Sequence, residues 1–262
     1  MKLLRYATGL MLLLPMGVWA EYFFVGVLDK DTGYTEQIML SKVKLRYLER
    51  PIRNAWKEGY RITDISHSPR RWSVILSKGT GIGKQTYLHR RSMADFETAV
   101  RHWLRKGYAV VNVENGVGEW VAVLEKGSRF KETHIAVSRD LDSMKKIIAK
   151  RKKQGFDMID TEAEEGYWVV LFAKGTGYLS QRYILSENWN LLAENIDAFW
   201  QKGYRIVSLE SGDNLWFCLY AKEKKLHDQL YIRRENHERF RKTVRQYWQK
   251  GYRITDLSEG RK

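Results

Sequence analysis

Cysteine and proline are both scarce in this chain of 262 residues, and each scarcity excludes a class of protein. Cys218 is the single cysteine, so no disulfide can form within one chain and stability must come from packing. Only three prolines occur and no low-complexity segment is present, which excludes a proline-rich or disordered protein. With 44% hydrophobic and 13% aromatic residues, the composition indicates a globular fold with a sizeable core.

Long apolar runs are also rare, and the one that stands out lies at the N-terminus. Lys2 and Arg5 precede an almost wholly apolar stretch over residues 7–18, and Ala20 ends a small-residue pattern typical of signal-peptide cleavage. The apolar stretch is shorter than the roughly 20 residues that span a bilayer. The pattern therefore predicts a signal peptide at 1–20 and a secreted or periplasmic location, with an uncleaved membrane anchor as the alternative.

A repeat of 48 residues organises the rest of the chain. Three columns keep this interval: Gly59, Gly107, Gly155, Gly203 and Gly251; Trp72, Trp120, Trp168 and Trp216; Lys30, Lys78, Lys126, Lys174 and Lys222. A glutamine column is interrupted once, by Thr133: Gln37, Gln85, Gln181 and Gln229. Such a fixed period is the signature of a repeat architecture, and the tryptophans are expected to fill its core rather than to form a sugar-binding platform.

Each repeat contains three strand patterns and one helix pattern. In the second unit, "YRITDIS", "RWSVILSK" and "KQTYLHR" are β-branched and aromatic runs bounded by turn residues. "SMADFETAVRHWLRKG" follows, with Ser92 as a predicted N-cap and Gly107 as the terminating glycine. The cap position keeps a short polar side chain in the later units: Asp140, Asn188 and Asn236. In the first unit, Pro51 predicts a late helix start.

The two ends of the chain complete one another in this pattern. After residue 20 the chain begins with a second strand, "FFVGVLDK", and it ends with a first strand, "YRITDLS". We expect the C-terminal strand to complete the N-terminal unit and close a ring, because closure removes two exposed sheet edges. The predicted fold is α/β, a closed five-unit ring of β-β-β-α repeats in a single domain over 21–262, with these units: 21–59 plus 252–262, 60–107, 108–155, 156–203 and 204–251.

Two resemblances accompany this pattern. In the number and content of its units, the chain resembles the α/β-propeller (pentein) architecture. The motifs "WSVILSKGTGIGKQTY" and "WVVLFAKGTGYLSQRY" resemble the Trp- and Gln-containing repeats of an uncharacterised domain at the C-terminus of plant casein-kinase-like proteins. The second resemblance implies no activity for this chain.

Residues able to perform catalysis are few. The pentein resemblance implies a cysteine with a histidine and a carboxylate, which makes Cys218 a candidate nucleophile, but its column holds small apolar residues typical of a buried strand. A polar column runs through the first strands: Asp64, Asn112, Asp160, Ser208 and Asp256. Its carboxylates either converge as acid and base or cap neighbouring backbone groups, and the uncharged members favour capping. The six histidines show no metal-ligand spacing, so no metal or other cofactor is expected.

The lysine column is the predicted binding site, since a core has no use for five equivalent ammonium groups. In a closed ring these residues lie on one circle and attract an anion: Lys30, Lys78, Lys126, Lys174 and Lys222. A set of solvated strand-end lysines is the alternative. A second basic region, "MKKIIAKRKKQ", lies on the third predicted helix, and the formal net charge is +15.

Because export is predicted, the expected partner is an anionic polysaccharide, lipopolysaccharide or an acidic protein surface rather than nucleic acid. We therefore expect a secreted, non-enzymatic binding or scaffold protein that recognises an anionic envelope component or an acidic protein. The alternative is a periplasmic hydrolase, pentein-like or dependent on carboxylates, with Cys218 or the polar column in its site. A pocket in which a carboxylate, a histidine and Cys218 converge would favour the hydrolase.

Overall fold

Strands and helices follow one another regularly in the computed structural model, which describes residues 22–68 and 71–261. The predicted signal peptide at 1–20 lies outside the described residues. The strands are β1 (Tyr22–Asp29), β2 (Gln37–Lys42), β3 (Arg61–Ser68), β4 (Arg71–Ser77), β5 (Lys84–Arg90), β6 (Tyr108–Gly116), β7 (Glu119–Lys126), β8 (Glu132–Ser138), β9 (Asp157–Glu164), β10 (Tyr167–Lys174), β11 (Ser180–Ser186), β12 (Arg205–Gly212), β13 (Leu215–Lys222), β14 (Gln229–Arg234) and β15 (Arg253–Arg261). The helices are α1 (Glu49–Lys57), α2 (Met93–Arg105), α3 (Leu141–Lys153), α4 (Trp189–Gln201) and α5 (His237–Gln249).

Across the described residues, five small antiparallel sheets of three strands each give a mixed α/β fold built from repeats. Their strand orders are β2-β4-β3, β5-β7-β6, β8-β10-β9, β11-β13-β12 and β14-β1-β15. In each sheet a second strand lies in the middle, between the first strand of its own unit and the third strand of the preceding unit. The sheets therefore do not coincide with the sequence units, because every third strand joins the next sheet and the following helix packs on that sheet too.

The fifth sheet is assembled from both ends of the described chain. Strand β1 lies between β14 and β15, so that Val25 pairs with Arg233 on one side and with Ser258 on the other. The expected pairing of the C-terminal strand with the N-terminal strand is therefore confirmed. Both edges of β1 are occupied along most of its length, which satisfies backbone groups that an edge strand would leave open.

The helix ends follow from local side chains. Ser92 accepts a hydrogen bond from the Asp95 N–H at 3.1 Å, and Asp140 accepts one from the Ser143 N–H at 2.7 Å. Asn188 and Asn236 cap α4 and α5 in the same way, so the predicted caps are confirmed. A short 3₁₀ turn precedes α1. The helix itself begins only at Glu49, in agreement with the late start that Pro51 predicts.

The core consists of clusters of apolar side chains between the sheets and the helices. All four tryptophans of the repeat column are buried, which confirms their predicted role in the core: Trp72, Trp120, Trp168 and Trp216. Cys218 is fully buried in the cluster that also contains Phe23, Leu192 and Trp216. Within the described residues, no helix is long and apolar enough to cross a membrane.

The glutamine column links neighbouring sheets. Gln85 of β5 accepts a hydrogen bond from the Ile62 N–H at 2.7 Å and donates one to the Ile62 carbonyl at 2.8 Å, although Ile62 belongs to β3 in another sheet. The same pair of bonds, here called a glutamine clamp, recurs in three other places: Gln37 with Ile254, Gln181 with Met158 and Gln229 with Ile206. Thr133 retains only the bond from the Val110 N–H. The column therefore has a structural purpose that repetition alone did not reveal.

Candidate functional site

The first strands of the five sheets lie next to one another. Strand β3 contacts β6 and β15, β9 contacts β6 and β12, and β12 also contacts β15. Side chains two residues apart on a strand point the same way, so repeat columns separated by two positions form successive layers along these strands. Two such layers are polar although most of their members are buried, and they define the candidate site.

The first of these, the aspartate layer, contains Asp64, Asn112, Asp160, Ser208 and Asp256. Its carboxylates accept hydrogen bonds from backbone groups of neighbouring first strands. The Val113 N–H donates to Asp160 at 2.7 Å, and the Leu209 N–H donates to Asp256 at 3.1 Å. Asp64 accepts hydrogen bonds from the Leu257 N–H and from the Asn112 amide, the latter at 3.0 Å. The predicted capping role is therefore confirmed, and it joins strands of different sheets.

Burial raises the pKa values of the carboxyl groups in the aspartate layer. It raises the pKa of Asp160 to about 7, against the pull of three hydrogen bonds that favour the charged form. The pKa values of Asp64 and Asp256 are raised well above their usual range, first by burial and then by nearby carboxylates of the layer. Burial therefore favours the protonated forms of this layer, and its side chains join neighbouring strands through hydrogen bonds.

The second layer, the glutamate layer, comprises Ser66, Glu114, Glu162, Glu210 and Ser258, two residues beyond the first. Glu114, Glu162 and Glu210 each present a carboxylate oxygen, and these three oxygens lie within 4.8 Å of one another. Glu162 is held in place by the Ala163 N–H at 2.8 Å and the Asn115 N–H at 3.3 Å. The three acids are thus gathered from β6, β9 and β12.

The glutamates are also shifted toward their neutral forms. Burial, with a contribution from Glu164, raises the pKa of Glu162 to about 8. The pKa values of Glu114 and Glu210 are raised well above their usual range, again by burial first and then by the carboxylate of Glu162. Glu114 and Glu162 share a hydrogen bond, which requires a proton on one of them. A positive charge placed among these groups would reverse the shifts.

A cavity of about 630 Å³ opens onto the glutamate layer. Its lining extends from exposed turn residues, among them Val117, to the buried Glu114 and Glu162. Seven described residues of the lining are acidic: Glu114, Glu162, Glu164, Glu187, Glu210, Asp213 and Glu259. None of its described residues is lysine or arginine. In a chain with a formal net charge of +15, this cavity concentrates acidic groups, which a bound cation would draw into their charged forms.

Close approach of the strands helps to shape the cavity wall. Gly212 lies so near β9 that a Cβ atom there would be 1.6 Å from the carbonyl oxygen of Ala163. At Gly260, a Cβ atom would meet the ring of Trp216 at 1.9 Å. These two positions belong to one repeat column, two residues beyond the glutamate layer. Only glycine allows the strands to pack this tightly here.

The predicted lysine column lies at the opposite end of the sheets from the cavity. Lys78 forms an ion pair with Glu36 at 3.1 Å, Lys174 with Glu132 at 2.8 Å and Lys30 with Asp228 at 3.7 Å. All five lysines also lie over the aromatic ring that precedes or begins a first strand, at 4.4 to 6.0 Å: Tyr252 for Lys30, Tyr60 for Lys78, Tyr108 for Lys126, Phe156 for Lys174 and Tyr204 for Lys222. These contacts give the column a local structural role.

The second basic region is more open. On α3, Lys146, Lys150, Lys152 and Lys153 are exposed. Lys152 also lines a smaller cavity of about 260 Å³, together with Arg182 and an apolar floor that includes Phe172. This surface combines positive charge with a recess for an apolar group.

Cys218 lies apart from the acidic cavity. Burial raises the pKa of its thiol, and it is absent from the described lining of the cavity. The histidine that does line the cavity is His67, whose pKa burial lowers to about 4, so that it is neutral at pH 7. Among the residues that the structure describes, the carboxylates and His67 therefore share a cavity that Cys218 does not line.

The glutamate layer was not predicted from the sequence. Its signal was present, because acidic residues recur at Glu114, Glu162 and Glu210 in strands that are otherwise apolar. Strand geometry places them on the same face as the aspartates two residues earlier. Serine at both other positions of the column concealed the pattern.

Comparison with known proteins adds a family and no activity. No curated protein matches the chain. The model of a domain of unknown function, DUF7477, matches residues 64–262, which include four of the five first strands completely and residues 64–68 of the remaining one, β3. Since this match covers well over half of the sequence, the chain belongs to the DUF7477 family.

Proposed function

We propose that the five sheets form a closed, α/β-propeller-like ring around the first strands. The cyclic order of contacts from β3 through β6, β9, β12 and β15 back to β3 supports this arrangement. Two contacts link β15, at the C-terminal end of the chain, to the sheet β2-β4-β3. The Leu257 N–H donates to Asp64 of β3, and the glutamine clamp joins Gln37 of β2 to Ile254. The resemblance of the repeats to those of casein-kinase-like proteins stays a prediction.

We further propose that the protein is a non-enzymatic binding protein whose acidic cavity receives a positively charged ligand. The observation that supports this function is the convergence of Glu114, Glu162 and Glu210 in a cavity without a described basic side chain. Several carboxylates brought together in a partly enclosed space attract cations strongly, because the field is focused and poorly screened.

Hydrolysis by the same carboxylates is less well supported. Paired acids that cleave a bond stand on either side of it, roughly 5–9.5 Å apart in glycosidases. Glu114, Glu162 and Glu210 instead present carboxylate oxygens within 4.8 Å of one another, which is closer than this arrangement requires. The trio is therefore better suited to surround one small charged group than to act on a covalent bond.

Calorimetric titration tests this function with Ca²⁺, Mn²⁺ and spermidine as probes. We expect at least one probe to bind with one site per chain, and the triple substitution of Glu114, Glu162 and Glu210 by Gln to abolish that binding. A matched triple substitution of exposed glutamates provides the control, at Glu58, Glu194 and Glu223. If no probe binds, or if both triple variants weaken binding equally, the proposed function is wrong.

A second function uses the outer surface. We propose that α3 contributes to recognition of an anionic polysaccharide, lipopolysaccharide or acidic protein outside the cell or in the periplasm. The exposed lysines of α3 and the recess beside Lys152 and Arg182 support this idea, and they provide a better anion site than lysines already paired with Glu36, Glu132 and Asp228.

Two variants of equal charge distinguish the anion sites on immobilised lipopolysaccharide. One replaces the lysine column by Gln: Lys30, Lys78, Lys126, Lys174 and Lys222. The other replaces five basic residues of α3 by Gln: Lys145, Lys146, Lys150, Arg151 and Lys152. We expect the α3 variant to lose more retention and to show a flatter salt dependence. Loss confined to the column variant would instead place the site on the lysine circle, and equal loss would indicate general electrostatics.

A further inference from the structure

The glutamate layer has the dimensions of a coordination shell. Ca²⁺ binds oxygen ligands at about 2.3–2.6 Å, so two oxygens on opposite sides of one ion are separated by about 4.6–5.2 Å. The carboxylate oxygens of Glu114, Glu162 and Glu210 already lie within 4.8 Å of one another. All three therefore fit around a single ion of this size with little movement. Mg²⁺, with oxygens at about 2.0–2.1 Å, would require the site to contract.

Two buried polar groups on the first strands that carry these layers lack a partner among the described residues. Ser258 occupies the same repeat column as the glutamates and is 1% exposed, yet its hydroxyl forms no hydrogen bond there. Asn115 lines the cavity at 7% exposure, and its side-chain Nδ2 group is likewise unsatisfied. Buried polar groups are rarely left unpaired, and Asn115 lies in the cavity lining, so its unpaired amide points to a bound species in the cavity. An ion and its bound water would satisfy both, since the hydroxyl can ligate and the amide can donate to water.

The chemistry of the donors narrows the choice of cation. Carboxylate and hydroxyl oxygens favour hard divalent ions, whereas zinc prefers sites with cysteine or histidine. Three carboxylates gathered in a buried place are costly without a compensating charge. A divalent ion offers more charge in one small volume than the ammonium group of an amine does.

We propose that Glu114, Glu162 and Glu210, together with Ser258 of the same layer, form a binding site for one hard divalent cation of about the size of Ca²⁺ or Mn²⁺. This inference rests on the proposed function of the acidic cavity and specifies the ligand that it receives. The ion would join β6, β9 and β12, so its binding would also stabilise the fold.

The test uses the full chain after treatment with a chelator. Mn²⁺ is the spectroscopic probe, because its paramagnetic resonance signal changes when it enters a protein site. Ca²⁺ is the thermal probe. We expect one Mn²⁺ per chain, displaced by Ca²⁺, and a rise in melting temperature of about 5–10 °C at a Ca²⁺ concentration one hundred times its dissociation constant.

Variants locate the ion. Glu210→Gln should weaken Mn²⁺ binding at least tenfold, and Ser258→Ala should weaken it a few-fold while leaving the melting temperature of the ion-free protein nearly unchanged. Glu194→Gln, on the exposed surface of α4 and outside the cavity lining, serves as the control and should bind normally. If Glu210→Gln fails to fold, Ser258→Ala still tests the site. Full Mn²⁺ binding by both Glu210→Gln and Ser258→Ala would overturn the assignment.

Titration with spermidine distinguishes failure of the proposed metal site from failure of the proposed cation-binding function. Binding of spermidine without binding of Mn²⁺ or Ca²⁺ would refute the metal site and leave the cation-binding cavity in place. Failure of all three probes would refute both. Binding of Mn²⁺ that spermidine does not displace would support the metal site.

Discussion

Replacing Gln37 by Ala should destabilise the protein far more than the loss of one polar side chain ordinarily does. Gln37 donates hydrogen bonds to the Ile254 carbonyl at 2.8 Å and to Ser77 at 2.9 Å. It accepts bonds from the Ile254 N–H and from the Trp248 indole, both at 2.8 Å. Because Gln37 and Ile254 are buried, the substitution leaves both backbone groups of Ile254 unpaired away from water.

The expected loss follows from these two backbone groups. An unsatisfied buried donor or acceptor costs about 1–3 kcal/mol, so two of them cost about 2–6 kcal/mol before water enters the vacated space. We expect the free energy of unfolding to fall by about 3 kcal/mol. For a domain of this size, this corresponds to a drop in melting temperature of about 6–12 °C.

Two further variants show whether the clamp itself is responsible. Gln37→Thr reproduces the natural situation at Thr133, which keeps the bond from a backbone N–H, and should lose about half as much stability. Gln246→Ala, on the exposed face of α5, should change stability by less than about 0.5 kcal/mol. Urea unfolding, followed by tryptophan fluorescence and circular dichroism, measures all three changes. If Gln37→Ala costs no more than Gln246→Ala, the clamp does not contribute to stability and the reasoning is wrong.

Other expected outcomes follow from the same strands. Gly212→Ala should lower the melting temperature sharply, since the new Cβ would lie 1.6 Å from the carbonyl oxygen of Ala163; an unchanged melting curve would contradict this packing. The ion-free protein should lose stability as pH rises from about 4 to 8, because the folded pKa values of Asp160 and Glu162, about 7 and 8, lie above the usual values of 3.8 and 4.5. The stabilising contribution of each group is complete below its usual pKa and is lost by the time the pH reaches its folded pKa. Urea midpoints across this range test the trend, and Glu162→Gln should flatten it. Removing residues 252–262 should abolish cooperative unfolding, because β15 pairs with β1 along its length; a truncated monomer with an unchanged melting temperature would argue for independent units.

Features that depend on neighbouring residues could be predicted from one sequence. Ser92 and Asp140 cap helices because their side chains reach backbone groups only three residues away, and the apolar stripe and terminating glycine lie within the same short segment. The aromatic and β-branched runs likewise indicated each strand. Because the chain is repetitive, the strands and the helix assigned in one unit could then be transferred to the other units.

Pairing between distant strands could not be predicted in this way. Every unit offers nearly the same third strand, so the sequence does not distinguish pairing within a unit from pairing with the next one. The helix determines the outcome, because it carries the chain across the central strand and leaves the third strand parallel to the next first strand. The 48-residue interval is the same for either arrangement.

The candidate site could be predicted only in part from the sequence, for a related reason. The lysine column was found because lysine recurs without exception, but its carboxylate partners, such as Glu36, lie elsewhere in the repeat and occur in only some units. The aspartate layer was correctly interpreted as capping. The glutamate layer depends on the distance between side chains from three sheets, which no spacing within one strand reveals.

The position of β1 has a consequence for the order of folding. This strand is synthesised first among the described strands, yet both of its neighbours, β14 and β15, are synthesised last. At about 5–20 residues per second, the apolar "FFVGVL" segment waits on the order of 10–40 s for its partners. During that time both of its edges can pair with other chains. We therefore expect the closing of this last sheet to limit the rate of folding, and factors that shield a nascent strand to raise the yield more than added stability in any other sheet.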